Sequence, residues 1–262
     1  MDTIELRQDQ LLLKEAQNAQ EKDNIISNLK LFKQKHFILV GLGGVGSNCA
    51  ELLIRSGCMN LTLIDADIIE VHNLGRQNYL NKQINLFQSN SLKENLLEIN
   101  PKVKIKIIDE YINSDNYSKN FLNLITNSKE ESVIIDCADN LITRNLINSF
   151  CLEHNIDWMY SGAEGFESIC ALFNYSKNIQ KNNNSKINSY SKLITLNHTQ
   201  SANCSTGVLN STTLITASLI MKELLFQYCL PENHKVTLKN KNNKIKCIKF
   251  NSLHNSIFEF YI

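Results

Sequence analysis

The chain has 262 residues, 43% of them hydrophobic and 20% charged, a balance that suits one large globular core and excludes a disordered chain. Its formal net charge of +1 exerts no global pull on DNA or an acidic membrane. The longest apolar runs, such as Phe37 to Val40, fall far short of the roughly 20 residues that a membrane span needs, and the polar N-terminus has no signal-like apolar stretch, so a soluble cytoplasmic protein is expected.

Residues 1–35 carry Leu6, Leu13, Ile25, Ile26 and Leu29 at loosely helical spacing and predict an N-terminal helical segment. Residues 36–175 then alternate strand and helix. A strand at His36 to Val40 runs into a glycine-rich turn and a helix that Gly57 ends. A second strand, Asn60 to Ile64, stops at Asp65. Helix follows at Ser89 to Ile99, closed by Asn100-Pro101, then strand at Val103 to Ile108, helix near Asn116 to Ile125 and strand at Ser132 to Asp136. A helix from Asn140 to His154 leads to strands at Trp158 to Gly162 and Ser168 to Tyr175. This β-α-β repetition predicts an α/β fold with a Rossmann-like, doubly wound, mainly parallel sheet.

Residues 176–203 turn to Asn, Ser and Lys and read as a mobile crossover loop. Residues 204–262 complete the same domain, with a buried helix over Leu209 to Tyr228 and β-like runs at Lys235 to Leu238, Lys244 to Phe250 and Ser256 to Tyr261 forming a hairpin extension. The eight cysteines, at 49, 58, 137, 151, 170, 204, 229 and 247, include no C-x-x-C, so neither disulfides nor a zinc site are expected.

Gly41-Leu42-Gly43-Gly44-Val45-Gly46 fits G-x-G-x-x-G between a strand and a helix, where backbone N–H groups face a phosphate. In this reading Gly41 makes the tight turn, Gly43 and Gly44 let phosphate or ribose approach, and Gly46 lets the helix pack on the sheet. Asp65 stands where an acid takes ribose hydroxyls. A nicotinamide dehydrogenase would begin in the same way, so the turn predicts a nucleotide without choosing it.

The following residues narrow the choice. Asp65-Ala66-Asp67, then Asn73-Leu74-Gly75-Arg76-Gln77, resembles the D-x-D and N-L-x-R-Q elements of the ThiF/MoeB/HesA family of ubiquitin-activating-like adenylyltransferases. Asp136-Cys137-Ala138-Asp139-Asn140 is similar to the family's D-x-x-D-N element, and Asn203-Cys204-Ser205-Thr206-Gly207-Val208-Leu209 to its N-C-x-T-A-G-V-L segment, one residue shorter.

The resemblance implies an enzyme that adenylylates the C-terminal carboxylate of a small partner at the expense of ATP. ATP would lie over the glycine turn, with Asp65, Asp67, Asn73, Arg76, Gln77 and Asn140 in the nucleotide site and Mg²⁺ held at Asp139. Asn140 has a second reading, as the cap of the helix that follows. Cys204 would accept the activated acyl group or join a sulfur carrier. The implied partner is a β-grasp sulfur carrier, or a peptide with a free C-terminus. The implied assembly is a homodimer in which Arg7, in Arg7-Gln8-Asp9-Gln10-Leu11, reaches the other subunit's site.

The sequence departs from the family in three ways. Both zinc-binding cysteine pairs are missing together, which points to a zinc-free lineage. The family's phosphate-contacting Lys falls near Gln88 or Ser89, with Lys82 and Lys93 flanking the gap, and Arg7 lies farther from Gly41 than the family pattern has it. Two alternatives follow: an inactive or heterodimeric partner-binding subunit, and a relative of the tRNA-modifying dehydratases.

Overall fold

His36–Val40 forms the central strand β1 because five consecutive residues bury their side chains on both faces of a sheet, the pattern of a strand covered by helices on either side. In the computed structural model, which describes residues 7–125, 132–176, 190–194, 207–231 and 245–262, β1 pairs in parallel with β2 (Asn60–Ile64) and β4 (Ser132–Asp136). Strand β3 (Lys104–Ile108) extends the parallel set beyond β2, and β5 (Asp157–Glu164) extends it beyond β4. Then the direction changes. Strands β6 (Glu167–Phe173), β7 (Lys246–Asn251) and β8 (Ser256–Tyr261) add as antiparallel hairpins, giving one eight-stranded sheet in the order β3-β2-β1-β4-β5-β6-β7-β8.

Two apolar layers cover this sheet, as period-2 alternation requires. Phe37 and Leu39 of β1 join the layer under helices α2 (Ala19–Gln34), α3 (Gly44–Arg55), α4 (Gln88–Ile99) and α7 (Asn210–Cys229). Ile38 and Val40 join the opposite layer, with α5 (Tyr117–Ile125) and α6 (Leu141–His154). A short helical turn at 190–194 adds Tyr190 and Leu193 to that second layer, where the Tyr190 ring stands edge-on to Trp158.

The N-terminal helices are part of this packing. Lys33 of α2 pairs with Asp9 of α1 (Arg7–Leu13) at 2.5 Å, and Asn28 donates to the Cys229 carbonyl at the end of α7. The predicted strands and helices appear within a few residues of their expected limits. The short 3₁₀ turns Val71–Asn73 and Asn81–Gln83 were not foreseen. The run Lys235 to Leu238, most of the Asn-rich stretch and Cys204 lie outside the described residues.

Candidate nucleotide-binding site

Chain direction diverges between β1, which continues to β2 on one side, and β4 on the other, leaving a crevice at the carboxyl ends of these strands. Gly41 turns the chain out of β1 at φ +87°, and a Cβ there would lie 2.6 Å from the Cys137 carbonyl oxygen beyond β4. Gly46 lets α3 come down onto that turn, since its Cβ would stand 1.9 Å from the Gly41 carbonyl oxygen. Gly43 is the N-cap of α3 and has no side chain to cap it, so the N–H groups of the first helical turn have neither an intrahelical acceptor nor a side-chain cap. Gly44 packs beneath α7, its Cβ position 2.8 Å from the Thr213 methyl carbon.

Asp65 fixes the turn from the end of β2. One carboxylate oxygen accepts the Leu42 N–H at 2.6 Å and the other accepts the Asp67 N–H at 2.9 Å. Burial pushes this acid up to about 6, opposed by the same two hydrogen bonds. Tyr79 adds a bond from its hydroxyl to the Leu42 carbonyl at 2.8 Å.

The loop from Asp67 to Gln77 is braced rather than free. Asn73 is buried and its Oδ1 accepts the Glu70 N–H at 2.8 Å, so that atom serves the loop. Arg76 is half-buried, with Nη1 3.3 Å from the His72 carbonyl. Asn48 of α3 donates to the Gly44 carbonyl at 2.6 Å and to the Arg76 carbonyl at 3.4 Å, tying the loop to the glycine turn. Gln77 is buried with its amide nitrogen 3.5 Å from where a Cβ on Gly43 would be, and its Oε1 has no hydrogen-bond partner among the described residues.

Beyond β4 the two acids divide. Asp136 is buried, accepts the Ala138 N–H at 3.1 Å and is pushed by burial up to about 6, with Arg144 opposing. Arg144 is also buried and bridges the Ala138 and Ser161 carbonyls at 2.5 and 2.7 Å, with Tyr160 stacked beneath it. Asp139 is exposed, and its charge is felt by Asp65 across the crevice. Asn140 caps α6 by accepting the Thr143 N–H at 2.9 Å, the second of its two expected roles.

Where the resemblance puts the family's Lys, near Gln88 or Ser89, Ser89 is buried and donates to Asp109, the residue after β3. Gln88 is buried beside it, Lys82 is exposed and Lys93 is half-buried. Arg7 opens α1, and its side chain, like all of Cys204, lies outside the described residues. Among the described cysteines, six are buried as packing residues should be. Cys137 differs: it is only partly covered, against Gly46 in the floor of the crevice. Asn48, Tyr79 and Thr213 touch the glycine turn, and Tyr111 donates its hydroxyl to Asp67; none carries a motif that would reveal it in the sequence.

The donors available to a cation are the exposed carboxylates of Asp67 and Asp139; no group of three or more His, Cys, Asp or Glu is assembled among the described residues. That set suits Mg²⁺, which binds through one or two carboxylates together with substrate phosphates and water.

The sequence signature of the ThiF family matches residues 11–260. The chain belongs to the ThiF family. Ubiquitin-like modifier-activating enzyme 5 of Drosophila willistoni is 34% identical over 149 residues, a match that spans 55% of this chain and 37% of that enzyme. The chain thus covers well under two thirds of this relative's length. The crystal structure of PaaA superposes with a TM-score of 0.71 at 16% identity, covering all of this chain and 86% of PaaA. Escherichia coli MccB with ATP gives a TM-score of 0.65 at 20% identity, covering 90% of this chain and 66% of MccB. At such identities the structural likeness establishes the shared ThiF-type fold.

Proposed function

We propose that the protein is an ATP-dependent adenylyltransferase that activates the C-terminal carboxylate of a small protein or peptide. The observation that carries this reading is the convergence of the glycine turn, Asp65, Arg76 and Asp139 on the carboxyl ends of β1, β2 and β4. Family membership supports it, as does likeness to an ubiquitin-like modifier-activating enzyme and to the fold of MccB, a protein solved with ATP.

In this reaction a carboxylate oxygen of the partner attacks the α-phosphorus of ATP. The bond from that phosphorus to the bridging oxygen breaks, its electron pair leaves with pyrophosphate, and an acyl adenylate remains. The N–H groups at the start of α3 hold phosphate oxygens, Asp65 holds the ribose and orients the turn, and the Arg76 guanidinium faces the developing charge. Asn73, Gln77 and Asn140 position that loop and the start of α6. Asp139 and Asp67, both exposed, would hold Mg²⁺, which would supply charge neutralisation for the phosphates. The work asked of the protein is placement and charge stabilisation.

Further features extend the reading. The partner is a β-grasp carrier or a peptide, Cys204 acts on the adenylate afterwards, and a homodimer brings Arg7 to the neighbouring site. The test is ATP–pyrophosphate exchange with candidate carboxylate partners. Exchange that depends on the partner supports the proposal; ATP binding without exchange for any partner would make the chain a binding subunit.

A further inference from the structure

The loop after β3 places an aromatic ring beside Asp67, and among the described residues no ring or cation packs on its face. Tyr111 is 63% exposed, yet it is held at both ends. Its hydroxyl donates to Asp67 Oδ1 at 2.5 Å, and its carbonyl accepts Asn116 Nδ2 at 2.9 Å. Asn116 and Asn120 also donate to Glu110 at 3.2 and 3.1 Å, and Asn113 and Asn116 close the loop on each other through the Asn113 N–H at 2.9 Å. Thr143 then pins the loop to α6 by donating to the Ile112 carbonyl at 3.2 Å.

An exposed side chain normally samples several rotamers, and ordering one costs conformational entropy. Here the hydroxyl bond to Asp67, rather than burial, is what holds the ring. The tie to Asp67 also sets its place: the Asp67 carboxylate that accepts from the Tyr111 hydroxyl lies two residues beyond Asp65, and that bond, foremost, pushes the hydroxyl up to about 12. Two other large apolar side chains are left open on the segments that Tyr111's loop touches, Ile68 next in sequence to Asp67 and Ile142 next to Thr143. A planar, uncharged, polarizable ligand group fits such a surface. In the site as read above, the phosphates belong at the glycine turn and the ribose at Asp65, and the base remains to be held.

We propose that Tyr111 is a nucleotide-binding residue whose fixed ring stacks on the purine of ATP, with the hydroxyl bond to Asp67 holding the ring in place. The inference rests on the adenylyltransferase reading for the identity of the ligand. It adds a residue outside the glycine turn and the acid motifs that discriminates nucleotides from inorganic phosphates.

The test uses the full chain with ATP, tripolyphosphate and 2-aminopurine riboside triphosphate, whose fluorescence is quenched when its base stacks on an aromatic ring. Binding of the wild type to ATP is measured first by calorimetry. Stacking on an aromatic side chain is lost in Tyr111→Ala, so ATP affinity should fall about ten- to a hundredfold and quenching should disappear. Tripolyphosphate affinity should stay the same, and Tyr111→Phe, which keeps the ring face, should retain most of the quenching. Since the side chain is exposed, neither variant endangers the fold. If Tyr111→Ala binds and quenches like the wild type, the proposal is overturned while the nucleotide reading stands. If the wild type binds no ATP, both fall.

Discussion

The carboxylate of Asp65 at the end of β2 accepts the N–H of Leu42 at 2.6 Å, so the acid read as a ribose ligand is also the strut of the glycine turn. Its other oxygen is engaged by the Asp67 N–H, and burial raises it to about 6. Protonation therefore removes negative charge from both the turn and the ribose position.

Nucleotide affinity should weaken as pH falls through about 6, because the folded protein then takes up a proton on Asp65. Stability should move the other way. A carboxyl raised in the folded state favours folding when protonated, so the Asp65 contribution to stability declines as pH rises from the ordinary carboxylate range to about 6. Asp136, raised likewise, adds to the same trend. Calorimetric titrations between pH 5 and 7.5 on wild type and Asp65→Asn check this, and an undiminished pH slope of affinity in the variant would assign the effect elsewhere.

The glycines should differ sharply. Gly46→Ala places a methyl 1.9 Å from the Gly41 carbonyl oxygen and should destabilise by about 1–3 kcal/mol or more. Gly75→Ala, in the resemblance motif but with nothing within 4 Å of its Cβ position, should change stability by less than about 0.5 kcal/mol. Chemical denaturation of both variants gives the comparison directly.

Asp139 and Arg144 lie five positions apart and should fail in different ways. Asp139→Ala removes an exposed carboxylate, so melting should barely move while pyrophosphate exchange is abolished. Arg144→Ala leaves buried Asp136 without its countercharge and frees the Ala138 and Ser161 carbonyls, a loss of about 3–5 kcal/mol. Exchange at the wild-type rate in Asp139→Ala would remove the metal-side role from that residue.

Cys204→Ala should keep exchange with the cognate partner, because that half-reaction needs the nucleotide pocket and no enzyme nucleophile. Transfer after adenylation should stop. An alkylating reagent should label Cys204 before the buried cysteines, since burial pushes the thiols of Cys49, Cys58, Cys151, Cys170 and Cys247 upward. Full downstream activity in the variant, together with slow labelling, would make it a packing residue.

The sequence by itself determined the strands, the glycine turn, the acid after β2 and the family, because each is a short-range pattern. Side-chain alternation decides which apolar layer each residue of β1 joins, and a strand, four glycines in six residues and a helix in succession leave few backbone paths. The tertiary structure alone decided which groups meet. Asn48 reaches the Arg76 carbonyl across 28 positions, and Tyr111 reaches Asp67 across 44. Arg144 joins β5 to the turn that carries Asp139, and Ser89 spends its hydroxyl on Asp109. No local pattern encodes these contacts, since each depends on two segments being brought together by the packing of the sheet and its helices. The same holds for Asp65: its position was legible, but its service to Leu42 appears only once β1 and β2 lie side by side.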